Sequence, residues 1–553
     1  MSKITSTLAE LAEKAGDNYR RIAEVKGAGK EENLLLAIDA YTRALSFFTL
    51  QRYRLRHANL QNDLGVAYCR LGEVRDKEAN LGLAIKAYTE ALRVHTFEAL
   101  PQDYAMAQNN LGVAYTNLAE VRDMEANLGR ALQSSKEALR VCTLGAFPEQ
   151  YAATQNNLGN AYARLAEVRD MEANLGRALQ SSKEALRVYT LGAFPEQYAA
   201  TQNNLGNAYV KLAEVRDKQA NLGSAIQAFE QALRVRTLEA FPQDYAATQS
   251  NLGVAYRNLA EVLEKEANLR LAIQAYQKAL RVRTFEAFPQ DYATTQNNLG
   301  NAYRDLAEVR DKEANLGSAI QALEQALRVG TLEAFPQDYA ATQNNLGVAY
   351  ANLGEVRDKE ANLGLAIKAF NEALRVYTFE AFPQDYAMAQ NNLANTYGSL
   401  ADVRDKEQNL ALSIKAYQEA LRVYTFGAFP QDHAGAQSNL GTAYHRLAEV
   451  RDKGANLNLA VSAFRQSLGV FTFAALPQDY ARTHFNLAFV YRSLAVARLE
   501  GGATEEAKDL LHAARASCVE AMRVYTEGTY PKDYETLSKL LNVLDAGLAK
   551  MQP

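Results

Sequence analysis

The chain has 553 residues, 48% of them hydrophobic, enough apolar mass for a large buried core. Its 60 Lys and Arg nearly balance 64 Asp and Glu, so a net charge of −4 offers no bulk field to nucleic acid or an anionic membrane. No run approaches the ~18 apolar residues of a membrane span, the start has no apolar signal core, and Cys69, Cys142 and Cys518 show no disulfide or metal spacing, so a cytoplasmic protein is expected.

Nine of the eleven prolines, from Pro101 to Pro477, stand 47 residues apart, which makes the chain a repeat array instead of a string of domains. Residues 1–50 read as an N-terminal capping helix pair, with Gly16, Tyr19, Ala37 and Tyr41 in register around an altered loop, VKGAGKEEN. Residues 51–476 read as nine helix pairs of 47 residues. In the copy at 335–381, Leu346, Tyr350 and Leu353 fall on one face of a first helix, and Leu363, Ile367, Phe370 and Leu374 on one face of a second. Pro336 suits the first helical position and Asp338 the positive end of the helix dipole. Asp358 and Asn362 are the candidate caps of the second helix. Residues 477–530 form a longer, divergent pair, with its seven-residue excess near LEGGATEE, and 531–553 a C-terminal capping helix. Nothing alternates with period two, so no strands are expected.

Leu346, Gly347 and Tyr350, followed by Ala366 and Phe370, resemble the tetratricopeptide repeat, and the match recurs along nearly the whole chain. The usual Trp is replaced by Gln343, and the period is 47 where the family has about 34. The resemblance implies an all-α, right-handed superhelical solenoid of about eleven antiparallel helix pairs plus the terminal cap. Gly347 and its equivalents are expected where paired helices approach closely. The tyrosine column that runs from Tyr68 through Tyr162 and Tyr350 to Tyr491 is expected in the core.

The copies differ unevenly. Ala153, Asn160, Ala163 and Arg164 mark the columns that vary most, while Leu158, Gly159 and Tyr162 barely change; at 3.6 residues per turn the variable columns share one face. In tetratricopeptide arrays that face lines the concave surface. Along it runs an asparagine column: Asn110, Asn157, Asn204, Asn251, Asn298, Asn345, Asn392, Asn439 and Asn486. Peptide-binding members of the family use such a ladder to hold an extended backbone, and a carboxamide, both donor and acceptor, suits that task. The alternative is that these asparagines bond to the next repeat. The column becomes Asp63 and Lys14 at the chain start, so the ladder is not expected in the first two pairs. The variable columns also hold Arg70, Arg164, Lys211, Arg257, Arg304, Arg446, Arg482 and Arg492 against one acid, Asp305, which points to an acidic segment as ligand. A glutamate three residues on, as in Glu167 after Arg164 and Glu214 after Lys211, would neutralise part of that field.

Six histidines, including His445 and His484 near the expected groove, show no metal-ligand spacing, and no P-loop, nucleophile elbow or dinucleotide fingerprint is present. Cys142, on the second helix of its pair, reads as a small packed hydrophobe. The chain is expected to be no enzyme and to need no cofactor or metal. The leading expectation is a scaffold or adaptor that binds a protein or peptide. The alternative is a regulatory or sensor subunit that controls a separate effector, such as a protease, in a bacterial signalling or defence system; a partner whose activity changes on ligand binding would single it out. Single-stranded RNA is the weaker alternative, because the groove offers only Phe489 for stacking. Self-association is compatible with near-identical copies.

Overall fold

A computed structural model describes residues 2–25 and 29–551. The described residues form 23 helices and no strand. One compact unit, Met1–Val282, holds α1 (Ser2–Ile22), α2 (Lys30–Phe47), α3 (Arg54–Gly72), α4 (Lys77–Ala91), α5 (Pro101–Leu118) and α6 (Met124–Leu139). It continues with α7 (Pro148–Leu165), α8 (Met171–Ala185), α9 (Pro195–Leu212), α10 (Lys218–Leu233), α11 (Pro242–Leu259) and α12 (Lys265–Leu280). The other, Arg283–Pro553, holds α13 (Pro289–Leu306), α14 (Lys312–Leu327), α15 (Pro336–Gly354), α16 (Lys359–Ala373), α17 (Pro383–Leu400) and α18 (Lys406–Leu421). It ends with α19 (Pro430–Leu447), α20 (Lys453–Leu468), α21 (Pro477–Glu500), α22 (Thr504–Met522) and α23 (Pro531–Ala549). Within each unit odd and even helices pair and the pairs stack, eleven in all, with α23 left over as a cap. The loop residues 26–28 lie outside the described residues.

Sequence chemistry sets each boundary. From α5 on, every first helix opens on proline, whose missing N–H is one the helix start could not use anyway. The turn before it is fixed by a threonine hydroxyl: Thr143 Oγ accepts from the Ala146 amide at 3.2 Å, and Thr190 does the same for Ala193 at 3.3 Å. The second helix starts differently from the expectation of side-chain caps. Asp358 takes the left-handed conformation at φ 45° and makes no side-chain cap bond, and the same holds for Asp170 and Asp217. Short polar side chains tolerate that conformation better than most. Asn362 donates its amide back to the Arg357 carbonyl at 2.7 Å, so the asparagine ties the loop and the aspartate turns it.

Packing within a pair is decided by the glycine. A Cβ on Gly347 would lie 2.7 Å from the Phe370 ring, one on Gly253 2.6 Å from Tyr276, and one on Gly206 2.5 Å from Phe229. In these pairs an aromatic ring of the second helix thus lies against the backbone of the first, while Ser135, Ser182 and Leu323 take its place against Gly112, Gly159 and Gly300. Around it sit the alanines Ala225, Ala255 and Ala349, each with no exposed surface. The longer pair departs from this scheme, with Ala488 at the glycine position, and extends α21 to 24 residues before a turn at Gly502, φ 79°.

The tyrosine column is less buried than expected. Tyr162 and Tyr491 are 8% and 6% exposed, whereas Tyr115, Tyr256 and Tyr350 are half-buried. The reason is the phenol: Tyr256 and Tyr350 donate to Glu230 and Glu324 of the preceding repeat at 3.3 and 2.9 Å.

Candidate functional site

The first helices place the asparagine column along one half-exposed stripe, and seven of the nine amides bond to the preceding repeat. Asn157 Nδ2 donates to Asn109 Oδ1 at 3.0 Å, Asn204 to Asn156 at 3.4 Å, and Asn251 to Asn203 at 3.2 Å. Asn110 donates to Asn62 at 3.2 Å, and in the second unit Asn345 and Asn392 donate to Asn297 and Asn344 at 3.0 and 3.3 Å. Asn439 turns to Asn395 at 3.4 Å, while Asn298 and Asn486 hold the same register on α13 and α21.

A carboxamide has two N–H donors and one carbonyl. The bond to the neighbouring repeat consumes one donor, and the side chain stays half-exposed with an oxygen and a second N–H beyond that bond. The two uses of the column are thus compatible. The acceptors, Asn109, Asn156, Asn203, Asn297 and Asn344, were missed by sequence reasoning, although they recur at the same 47-residue interval and precede the ladder residue directly.

In the first unit the stripe deepens into a groove of about 830 Å³ across α5, α7, α9 and α11, lined by Asn160, Asn204, Asn207 and Asn251 together with the charges of the variable columns. Asn160, Ala163 and Arg164, three of the four most variable columns, line it. In the second unit a hollow of about 450 Å³ lies over α15 and α17, with Asn352, Asn392 and Asn395 in its wall.

The basic column is compensated, and by a different partner from the one expected. Arg164 pairs with Glu120 and Lys211 with Glu167, each the glutamate of the preceding repeat and not the one three residues on. Arg70 pairs with Glu24, and Arg446 with Asp402 while also donating to the Gly398 carbonyl at 2.9 Å. Arg304 meets Asp305 at 3.0 Å and Arg482 meets Asp479 at 2.7 Å, while Arg257 lies on the groove-forming helix α11 and Arg492 is exposed on α21. Burial would raise the Glu120 carboxyl, but hydrogen bonds from Lys77 and Arg164 outweigh it and hold the group below the ordinary glutamate range. The first-unit groove therefore sets three acids, Glu120, Glu167 and Glu214, against two cations. Stacking brings residues 44 apart into register, which local i, i+3 reasoning does not reach.

The chain start departs from the ladder as expected. Asp63 accepts from Arg20 at 3.1 Å, and burial, opposed by Arg20 and reinforced by Asp17 and Glu13, pushes its carboxyl up to about 6. Lys14 is exposed. His445 is pushed down by burial, and so is His484, whose ring packs 4.4 Å from Tyr480. Among the described residues no cluster of potential metal ligands occurs, and no helix is long and apolar enough to cross a membrane.

Fold and stripe together define an array of stacked antiparallel helix pairs. No protein-family model and no curated protein matches the sequence. Several solved structures are similar to it at low identity. They include the C-terminal part of a tetratricopeptide repeat-containing protein from Cytophaga hutchinsonii, 18% identical over 56% of this chain and 94% of that one, TM-score 0.34. Another is the APC/C assembly Cut9–Hcn1, 17% identical over 98% and 99%, TM-score 0.35. A third is the apo form of RapI, 14% identical over 75% and 98%, TM-score 0.42.

Proposed function

We propose that the chain is a non-enzymatic interaction scaffold whose asparagine stripe holds an extended peptide segment of a partner protein. The observation that carries this reading is the half-spent carboxamide: Asn157, Asn204 and Asn251 are each oriented by one bond to the neighbouring repeat, and each carboxamide has a further donor and an acceptor. A side chain fixed in this way loses little entropy on binding, which lowers the cost of association. A backbone amide is its natural complement, since it too offers one donor and one acceptor at each residue. Acidic side chains on the segment compete with Glu120 and Glu167 for Arg164 and Lys211, so an acidic preference is a small addition to backbone capture.

The test uses peptides selected on the full chain from a random dodecapeptide display library. Asn157, Asn204 and Asn251 are changed together to Ala and affinity is read by calorimetry. With about 0.5–1.5 kcal/mol per hydrogen bond, three rungs lost predict roughly a tenfold to thousandfold weakening. Unchanged affinity rejects the reading.

A further inference from the structure

Just past each second helix lies a position that the ladder does not use, and its occupant changes from copy to copy: His95, Cys142, Tyr189 and Arg236 in the first unit, Arg283, Gly330, Tyr377, Tyr424 and Phe471 in the second. Tyr189 is 5% exposed and packs against Ala152, Ala153 and Phe194. Its ring meets Phe194 edge to face at 5.6 Å, and its hydroxyl points at the Glu149 carbonyl, 3.5 Å away. The edge-to-face pair recurs as Tyr377 with Phe382 and Tyr424 with Phe429, both at 6.0 Å. The fold therefore builds a socket for a phenol, and these copies fill it from within.

Cys142 leaves the socket empty. A cavity of about 300 Å³ opens there, lined by Gln102, Ala105, Met106, Phe147, Asn109 and Thr154 among others. The first four are the equivalents, one repeat earlier, of Glu149, Ala152, Ala153 and Phe194, the residues that surround the Tyr189 ring. The volume is twice the roughly 150 Å³ that admits benzene to an apolar cavity. Among the described residues Phe147 has no ring against it. Exposed Met106 and half-exposed Asn109 stand at the cavity wall, and Asn109 is the acceptor for ladder residue Asn157, so the cavity adjoins the asparagine stripe. At Arg236 the guanidinium donates to Thr248 at 3.0 Å and pairs with Asp244 at 3.4 Å, and a cavity of about 280 Å³ lined by Glu196, Ala199, Ala200 and Phe241 remains beside it.

We infer that the Cys142 cavity is a specificity pocket for an aromatic side chain, tyrosine above all, of a segment lying along the stripe; this rests on the groove reading above. The ring would take the place that Tyr189 holds one repeat on, its edge against Phe147 and its hydroxyl toward the Gln102 carbonyl. The geometry is an aromatic pair of the kind that contributes beyond area burial alone.

The pocket is tested apart from any peptide by titrating 4-fluorophenol into the full chain and following ¹⁹F NMR. Saturable binding is expected for the unmodified chain and for Cys142→Ala, and none for Cys142→Tyr, whose own ring closes the socket. Cys142→Tyr should keep the helical circular dichroism signal, because Tyr189 shows the ring to fit. No saturable binding to the unmodified chain, or equal binding to Cys142→Tyr, overturns the inference. Asn204→Ala with Asn251→Ala should leave fluorophenol binding intact while weakening library peptides; unchanged peptide affinity there counts against the groove reading alone. Among selected peptides, replacing the pocket tyrosine by Ala should cost at least about tenfold in the unmodified chain and nothing in Cys142→Tyr. Tight stripe-binding peptides without any ring also overturn the inference.

Discussion

At the residue scale two small side chains carry most of the design. Where an aromatic ring of the second helix lies on the first-helix glycine, that glycine is required: Gly253→Ala would place a Cβ 2.6 Å from Tyr276, and overpacking of this kind costs about 1–3 kcal/mol. Gly176, in the middle of α8, has nothing within 4 Å, so Gly176→Ala should stabilise by about 0.5–1 kcal/mol through helix propensity. Urea transitions of the two variants should move in opposite directions. The asparagine column can be dissected similarly. Asn156→Ala removes the acceptor for Asn204, and Asn204→Ala removes the donor as well as the groups left for a ligand. Their stability losses should be alike, while only Asn204→Ala loses the ligand-facing groups; equal losses of peptide affinity would make the column purely structural.

Asp63 tests the chain start. Its carboxyl titrates at about 6 in the fold, chiefly through burial, against about 3.9 unfolded. The folded state therefore holds the proton more tightly. This contribution is present below pH 4, is lost as pH rises to 6, and is constant above that. Asp63→Asn should abolish that part of the pH dependence and gain on the order of 1–2 kcal/mol at pH 7, net of the lost Arg20 contact. Thermal melts at pH 4 and pH 7 read it, and an unchanged slope contradicts it.

At the element scale the helix pairs were legible in the sequence because two 3.6-residue patterns repeat at a fixed period. Gly347, Tyr350 and Phe370 even announced which faces meet. What the sequence concealed is contact between copies. A glutamate three residues after Arg164 looks like its partner, but stacking delivers Glu120 from 44 residues earlier. Asn109 and Asn157 look equivalent until one is seen to donate and the other to accept. Cys142 was legible in the sequence only as a small packed residue, and the cavity beside it only once the surrounding helices were in place. Glu120 holds both Lys77 and Arg164, so Glu120→Gln should weaken the stack by about 0.5–1 kcal/mol and free Arg164 for a ligand carboxylate. Peptide affinity of the unmodified chain should change little from 50 to 300 mM salt, and that of Glu120→Gln for acidic peptides should fall more steeply with salt. A steep dependence in the unmodified chain would restore a basic groove.

For the molecule as a whole, contacts run almost wholly between successive helices, the arrangement in which stability is a sum of repeat and interface terms. Deleting residues 148–194 removes one whole period and leaves every helix face with a partner of the same kind. The shortened chain should fold, with its helical signal reduced in proportion to length; collapse to an unfolded chain would contradict the additive picture.

The central claim is that ladder carboxamides bond to a ligand's backbone, and a coupling measurement addresses it most directly. Single amides of a selected peptide are N-methylated and affinities measured against the unmodified chain and against Asn157→Ala, Asn204→Ala and Asn251→Ala. Bonding predicts that methylation opposite one rung costs about 0.5–1.5 kcal/mol and that this cost vanishes when the facing asparagine is gone. Costs that simply add at every position would contradict it.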